Sequence, residues 1–270
     1  MPDLPLHSFI TILFILISTS ACIAVPAGGM LWRRFTHALP PIPQFPGSTF
    51  PHLFACFYTA FFIITFAMST IASTWMPANQ QLDAISYASS IIVQIALYIP
   101  FLVVYFTLPR REIPATSIGT KLSWLVTGLI VVGCTGPLLE LCGITNWLIS
   151  VTGCPEHQDV VVSLAKGGTA EKLLVAFMAI IVAPVTEECC FRGFVYNILK
   201  HWSKPWLATI CSACLFSSVH ASLAQAIPLF IFGAVQCVAY EKARSLWLPV
   251  AIHMVFNTLN VLGIVIFMQS

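Results

Sequence analysis

Long apolar stretches separated by short polar ones follow one another along nearly the whole chain. A membrane-spanning helix needs about 20 mostly apolar residues, and by that rule the sequence predicts about eight spans. These lie near residues 7–26, 53–75, 84–108, 122–149, 172–199, 205–221, 223–240 and 246–268. We therefore expect an all-α fold, a polytopic helical membrane bundle. A polar linker, 151–171, divides an N-terminal half, 1–150, from a C-terminal domain, 172–268, of about four spans each.

The composition agrees with residence in a bilayer. Of the 270 residues, 58% are hydrophobic and 8% are charged, whereas about a quarter are charged in soluble domains. The net charge of +2 is too small to suggest a nucleic-acid partner. The ten cysteines are scattered through apolar segments, which is typical of packing residues and not of a disulfide framework. We apply the same interpretation to the CxxC formed by Cys211 and Cys214.

Basic residues predict the orientation of the chain. Nine of them fall in alternate loops between the spans, and such loops are usually cytoplasmic. They are Arg33, Arg34, Arg110, Arg111, Lys121, Lys200, Lys204, Lys242 and Arg244. Both termini are then expected on the opposite side of the membrane. The bias fits a bacterial inner membrane, and a protein of the endoplasmic reticulum would show it too. Because the sequence has no long tails or tracts, a prokaryotic inner membrane is the location we expect for this multi-pass protein.

The fifth span carries three charged residues, Glu187, Glu188 and Arg192, where the insertion cost is at least ~2.5–3.5 kcal/mol each. Glu188 and Arg192 are four residues apart, so they share a helical face and are expected to form an ion pair. Glu187 is turned about 100° away on the same helix and has no such partner. The spacing therefore predicts one unpaired carboxylate within the bilayer.

Two other spans add polar groups, because His220 ends the sixth and His253 with Asn257 lies in the eighth. A carboxylate beside an imidazole can hold a water molecule and take its proton. A second imidazole and an amide can then stabilise the resulting oxyanion. No serine or cysteine stands at a recognisable nucleophile motif, so direct attack by water is the simpler interpretation. Zinc stays open as an alternative, although the HExxH spacing is absent.

Structural explanations also exist for these residues. A Glu–Arg pair often joins helices, and a histidine within a bilayer commonly bonds to a neighbouring helix. A proton-coupled transporter would place a carboxylate and histidines in a relay. Glu140, in the fourth span, is left outside the predicted site.

The sixth and seventh spans share only residues 205–240. A short or tilted sixth span, or a re-entrant connection, is therefore needed for His220 to reach His253.

Three motifs resemble a known family. Glu187 to Arg192 fits EExxxR, Phe216 to His220 fits FxxxH, and His253 to Asn257 fits HxxxN. In this order they resemble the CAAX protease and bacteriocin-processing family, also called the CPBP or ABI family, which includes the type II CAAX prenyl endopeptidases. The resemblance covers roughly residues 172–262.

The resemblance implies an intramembrane endopeptidase of the glutamate type. The family has been described both as metalloproteases and as metal-independent, and since the residues themselves favour no metal, we expect no cofactor. The implied catalytic residues are Glu187, His220, His253 and Asn257, with Glu188 and Arg192 in support. By this resemblance, Glu187 and His220 would activate the water, and His253 and Asn257 would form the oxyanion hole. The implied partners are the lipid bilayer and a membrane-protein or lipidated-peptide substrate. Members described as immunity or scaffold proteins keep a non-catalytic membrane factor open as the alternative.

Overall fold

The protein is an all-helical bundle over the residues that its computed structural model describes, 6–36, 116–154 and 159–267. Within them the helices are α1 Leu6–Thr36, α2 Ile118–Leu141, α3 Ile144–Thr152, α4 Asp159–Lys166, α5 Thr169–Trp202, α6 Pro205–Val219, α7 Ala226–Ala243 and α8 Trp247–Phe267. The predicted fold class, a helical membrane bundle, is confirmed.

Five of the described helices are long and apolar enough to cross a membrane: the Ser8–Pro26 part of α1, then α2, α5, α7 and α8. Helix α6 is apolar but shorter, with 15 residues. The predicted spans 53–75 and 84–108 lie outside the described residues. The predicted boundary between an N-terminal half, 1–150, and a C-terminal domain, 172–268, stays a prediction.

The predicted span 122–149 is wrong in its bounds, because α2 already ends at Leu141. The backbone then turns at Gly143, whose φ of 69° lies in the left-handed region that glycine adopts most readily. A new helix, α3, starts directly after it. The hydropathy pattern does not show this break, because apolar residues continue on both sides of the turn. The linker 151–171 also contains a helix, α4, whose Leu164 packs with Val175 and Val261.

Helix α5 is the element that positions the polar residues. It is 34 residues long and contains two π-helical stretches, Met178–Val182 and Cys189–Val195, around an α-helical segment, Ala183–Glu188. Pro184 is the second residue of that segment and has no backbone N–H to donate, which weakens regular α-helical bonding just before it. A π-helical turn shifts the phase of the side chains that follow, and such turns are frequent at functional sites.

Helices α5, α6, α7 and α8 pack around a core of aromatic side chains. Phe216 of α6 is at the centre of this core, with its ring centroid 5.1 Å from that of Phe191 and 5.7 Å from that of Phe232. Helices α6 and α7 approach closely at Gly233, where an added Cβ would lie 3.0 Å from the Cα of Ala213. The polar residues of α5 and α8 lie beside this core.

Candidate active site

The carboxylate of Glu188 lies where three helices converge, and neither Glu188 nor Arg192 is exposed. Its Oε1 accepts a hydrogen bond from Arg192 Nη1 at 2.9 Å, so the structure contains the ion pair that the spacing predicts. The same oxygen lies 2.8 Å from His253 Nδ1 on α8 and accepts from Gln236 Nε2 on α7 at 3.3 Å. Glu188 therefore connects α5 to both α7 and α8.

Arg192 is held on its other side as well. Its Nη2 donates to the carbonyl oxygen of Gly233 at 3.1 Å, and its guanidinium carbon lies 4.7 Å from the centroid of the Phe216 ring. A guanidinium over an aromatic face gains a favourable electrostatic interaction. A buried cation with a carboxylate, a carbonyl and a ring around it has a single well-defined position.

Glu187 and His220 form a second, more accessible pair. Glu187 Oε2 lies 3.9 Å from His220 Nε2, and the two side chains are 18% and 24% exposed. His220 Nδ1 lies 2.7 Å from the carbonyl oxygen of Phe216. Because a carbonyl only accepts, Nδ1 carries the hydrogen, and Nε2 of the neutral ring turns its lone pair towards Glu187. Among the described residues, Glu187 Oε2 is buried without a hydrogen-bond partner.

Asn257 lies on α8 one turn beyond His253 and bonds back to α5. Its Nδ2 donates to the carbonyl oxygen of Ala179 at 2.7 Å, within the first π-helical stretch. An amide NH2 has two hydrogens, so this bond leaves one for another acceptor. His253 is 5% exposed and packs edge-on against Phe232, with the ring centroids 4.7 Å apart.

The structure thus places five of the six predicted residues in two groups. Glu188 contacts both Arg192 and His253, whereas Glu187 faces His220. Asn257 lies one turn beyond His253 and bonds to Ala179 instead. The contact between Glu188 and His253 was not expected, because the sequence placed His253 only in an oxyanion hole. These contacts describe positions, and the roles of the six residues stay predictions.

Sequence reasoning missed Gln236, a fully buried amide in the centre of α7. Charge singles out the ionisable groups within the spans, and glutamine carries no charge. The available signal was a lone carboxamide at the middle of an otherwise apolar stretch, 226–239. Such a group needs a hydrogen-bond partner in a membrane.

The structure also shows where the potential metal ligands and the cysteine thiols lie. In the described part of the chain, no three His, Cys, Asp or Glu side chains are grouped so that they could hold a metal ion. The described cysteines, Cys211 and Cys214 among them, carry free thiols. Cys211 is buried in the aromatic core beside Phe216 and Leu215.

Membrane-spanning helices with a buried glutamate, arginine and histidine network define an integral membrane protein with a polar site in its C-terminal part. Residues 169–259 match the family model described as type II CAAX prenyl endopeptidase Rce1-like, and they contain all six predicted site residues. This match confirms the resemblance drawn from the three motifs, over the part of the chain that contains them.

Two known proteins are similar to this chain. It is 22% identical over 180 residues to "Putative membrane peptidase YdiL" of Bacillus subtilis (strain 168), which covers 64% of this chain and 70% of that protein. It is 32% identical over 96 residues to an "Uncharacterized 24.3 kDa protein" of Escherichia coli, which covers 33% of this chain and 44% of that protein. No solved structure matches the chain. At the level of the family, these matches support a membrane protease.

Proposed function

We propose that the protein is an intramembrane endopeptidase in which Glu187 and His220 activate a water molecule for attack on a peptide bond in or next to the bilayer. The observation that carries this proposal is the pair of facing acceptors, Glu187 Oε2 and His220 Nε2, 3.9 Å apart. The distance is too long for a direct hydrogen bond. One water molecule with two hydrogens can donate to both atoms at once, and Glu187 then takes a proton from it as the general base.

His253 can stabilise the oxyanion through its second ring nitrogen. Its Nδ1 faces the Glu188 carboxylate, so Nδ1 carries a hydrogen, and Nε2 donates only if the ring is an imidazolium. On this account Glu188 supports the oxyanion donor by accepting the Nδ1 hydrogen, which orients the His253 ring.

The reaction follows from these positions. The water oxygen attacks the carbonyl carbon while its proton passes to Glu187. The oxyanion that forms accepts hydrogen bonds from His253 Nε2 and from the remaining N–H of Asn257. When the carbon–nitrogen bond breaks, Glu187 returns the proton to the leaving amine, which restores the carboxylate. The substrate class that we propose is a membrane protein or a lipidated peptide in a prokaryotic inner membrane.

Comparative proteomics of membrane peptides tests this proposal. Bacterial cells would express the parent chain, Glu187→Gln, or Glu140→Gln, a matched change of an exposed carboxylate on α2. We expect new peptide termini in cells with the parent and with Glu140→Gln, and their absence in cells with Glu187→Gln at equal protein levels. Identical termini in all three strains would contradict hydrolysis by Glu187. If a cellular function also survived in the Glu187→Gln strain, a non-catalytic membrane factor would be favoured.

A further inference from the structure

Gln236 is an uncharged polar residue buried in α7, and its bonds to α5 and α8 point to a role in the site. It is 0% exposed in the centre of α7. Its Nε2 donates to the carbonyl oxygen of Pro249 at 2.9 Å and to Glu188 Oε1 at 3.3 Å. Since burial of an unbonded amide is costly, these two bonds hold the side chain in place.

The chemistry of the two partners fixes the orientation of the amide. A carbonyl and a carboxylate both accept, so the NH2 group must face them and can give one hydrogen to each. Pro249 lies four residues before His253, which is about one turn of α8. One amide therefore binds the helical turn that leads to His253 and also the carboxylate that lies 2.8 Å from His253 Nδ1.

We propose that Gln236 is a positioning residue that sets the contact between Glu188 and His253, an inference that rests on the proposed function. It acts through these two residues and not on the reacting atoms. Without its two hydrogen bonds, the Glu188 carboxylate is no longer held in a fixed position relative to α8. The hydrogen bond from His253 Nδ1 to Glu188 then varies in geometry, and so does the position of His253 Nε2.

A simpler role for Gln236 would be to join α5 to α7 and α8 without any effect on His253. Asn197 provides a control for that role, because its Nδ2 also joins α5 to α7. It donates to the Tyr240 hydroxyl at 3.0 Å and to the Arg192 carbonyl oxygen at 2.8 Å. Asn197→Leu removes an amide between the same two helices at a distance from Glu188 and His253.

Nuclear magnetic resonance of histidine side chains tests the proposal without a substrate. The full chain would be labelled with ¹⁵N-histidine in detergent micelles, and the His253 signals would be assigned by their loss in His253→Gln. We expect Gln236→Met, which is similar in size but has no N–H donor, to shift or abolish the Nδ1–H signal of His253. Asn197→Leu should leave that signal unchanged. An unchanged signal in folded Gln236→Met, or the same change in Asn197→Leu, would overturn the proposal.

A second variant keeps the test decisive if Gln236→Met does not fold. Gln236→Glu has the same size, and its protonated carboxyl can serve only one of the two acceptors. The same change in the His253 signal is expected, and an unchanged signal would overturn the proposal.

Kinetics add a readout that a purely structural link would not give. On a substrate found by the proteomic comparison, Gln236→Met should lower kcat at least about tenfold, since a hydrogen bond to a charged group is lost. Its KM should stay within about twofold of the parent value. An unaltered kcat would overturn the inference and leave the proposed function intact. Failure to find any substrate would count against the proposed function alone, because the magnetic resonance test of Gln236 needs no substrate.

Discussion

Ala221 follows His220 directly and has a left-handed backbone conformation, with a φ of 53°. This conformation costs a residue with a Cβ roughly 1–2 kcal/mol, part of which glycine recovers. We predict that Ala221→Gly raises the free energy of unfolding by about 0.5–1 kcal/mol. The thermal midpoint in detergent would measure it. Ala224→Gly in the same loop, where φ is not positive, is the control and should lower stability. A loss of stability in both variants would contradict strain at Ala221.

Asn257 is expected to act both as a helix link and as an oxyanion donor. Asn257→Ala should lower kcat by about 10²–10³-fold, the usual effect of losing one oxyanion donor. It should also lose about 1 kcal/mol of stability with the bond to the Ala179 carbonyl. The control is Thr258→Ala, which removes only a hydrogen bond to the carbonyl of Met254 in its own helix. Equal kcat values for the two variants would rule out an oxyanion role for Asn257.

The sequence predicted the local contacts of single residues better than the distant ones. Glu188 and Arg192 are four residues apart on one helix, so their pairing follows from helical geometry alone. His253 is 65 residues away from Glu188, and their contact depends on how α5 and α8 pack. The two hydrogen bonds of Gln236 depend on helix packing in the same way, since both of its acceptors belong to other helices.

The antiparallel pair of α5 and α6 explains how Glu187 meets His220. The two helices are joined only by Ser203 and Lys204. Glu187 lies 15 residues before Trp202, and His220 lies 15 residues after Pro205, so both lie at a similar distance from the connection. Helix α6 is about 22 Å long, which is shorter than the ~30 Å hydrocarbon core. His220 therefore ends a short helix within the bundle, one of the arrangements that the sequence required.

The contact of α6 with α7 should depend on the missing side chain of Gly233. A Cβ there would lie 3.0 Å from the Cα of Ala213 and 3.4 Å from Cδ1 of Phe216. We predict that Gly233→Val destabilises the protein by about 1–3 kcal/mol, as overpacking usually does. It should also lower turnover, because the Gly233 carbonyl accepts from Arg192.

The control for this change is Gly263→Val on α8, where an added Cβ meets no atom within 4 Å. Thermal midpoints and turnover of the two variants would be compared in the same detergent. If Gly233→Val were as stable and as active as Gly263→Val, the close approach of α6 and α7 would have no importance for the site.

At the level of helices, the sequence predicted those of the C-terminal part well and their internal irregularities not at all. The predicted spans 172–199, 223–240 and 246–268 correspond to α5, α7 and α8 within about three residues, because apolar length is a strong signal. The two π-helical stretches of α5 were not predicted. Only Pro184 indicated a disturbance, and proline is also tolerated near the start of an ordinary helix.

Across the whole molecule, the ends of three helices meet at one end of the bundle. Thr116, just before α2, donates from its Oγ1 to the carbonyl oxygen of Ala243 at the end of α7 at 3.0 Å. Lys200, near the end of α5, forms an ion pair with Glu241 of α7. Basic residues predicted to be cytoplasmic, Lys200 and Lys242 among them, are thus brought to the same end.

We predict that this end faces the cytoplasm. A cysteine at Lys204 should be labelled by a membrane-impermeant maleimide only from the cytoplasmic side, and a cysteine at Gly168 only from the opposite side. Both positions are exposed, and the parent chain gives the background from its native cysteines. Labelling of Lys204→Cys and Gly168→Cys with the sides exchanged, or of both positions from the same side, would contradict the predicted orientation.

The central claim is that Glu187 takes the proton of the attacking water, and turnover by purified protein tests it most directly. Parent, Glu187→Gln and Glu140→Gln would be reconstituted in lipid vesicles with a cleaved substrate from the proteomic comparison, after equal thermal midpoints show that all three are folded. Loss of a general base costs about 10²–10⁴-fold. We predict a loss of that size for Glu187→Gln and parent-like turnover for Glu140→Gln. Parent-like turnover by folded Glu187→Gln would contradict the account.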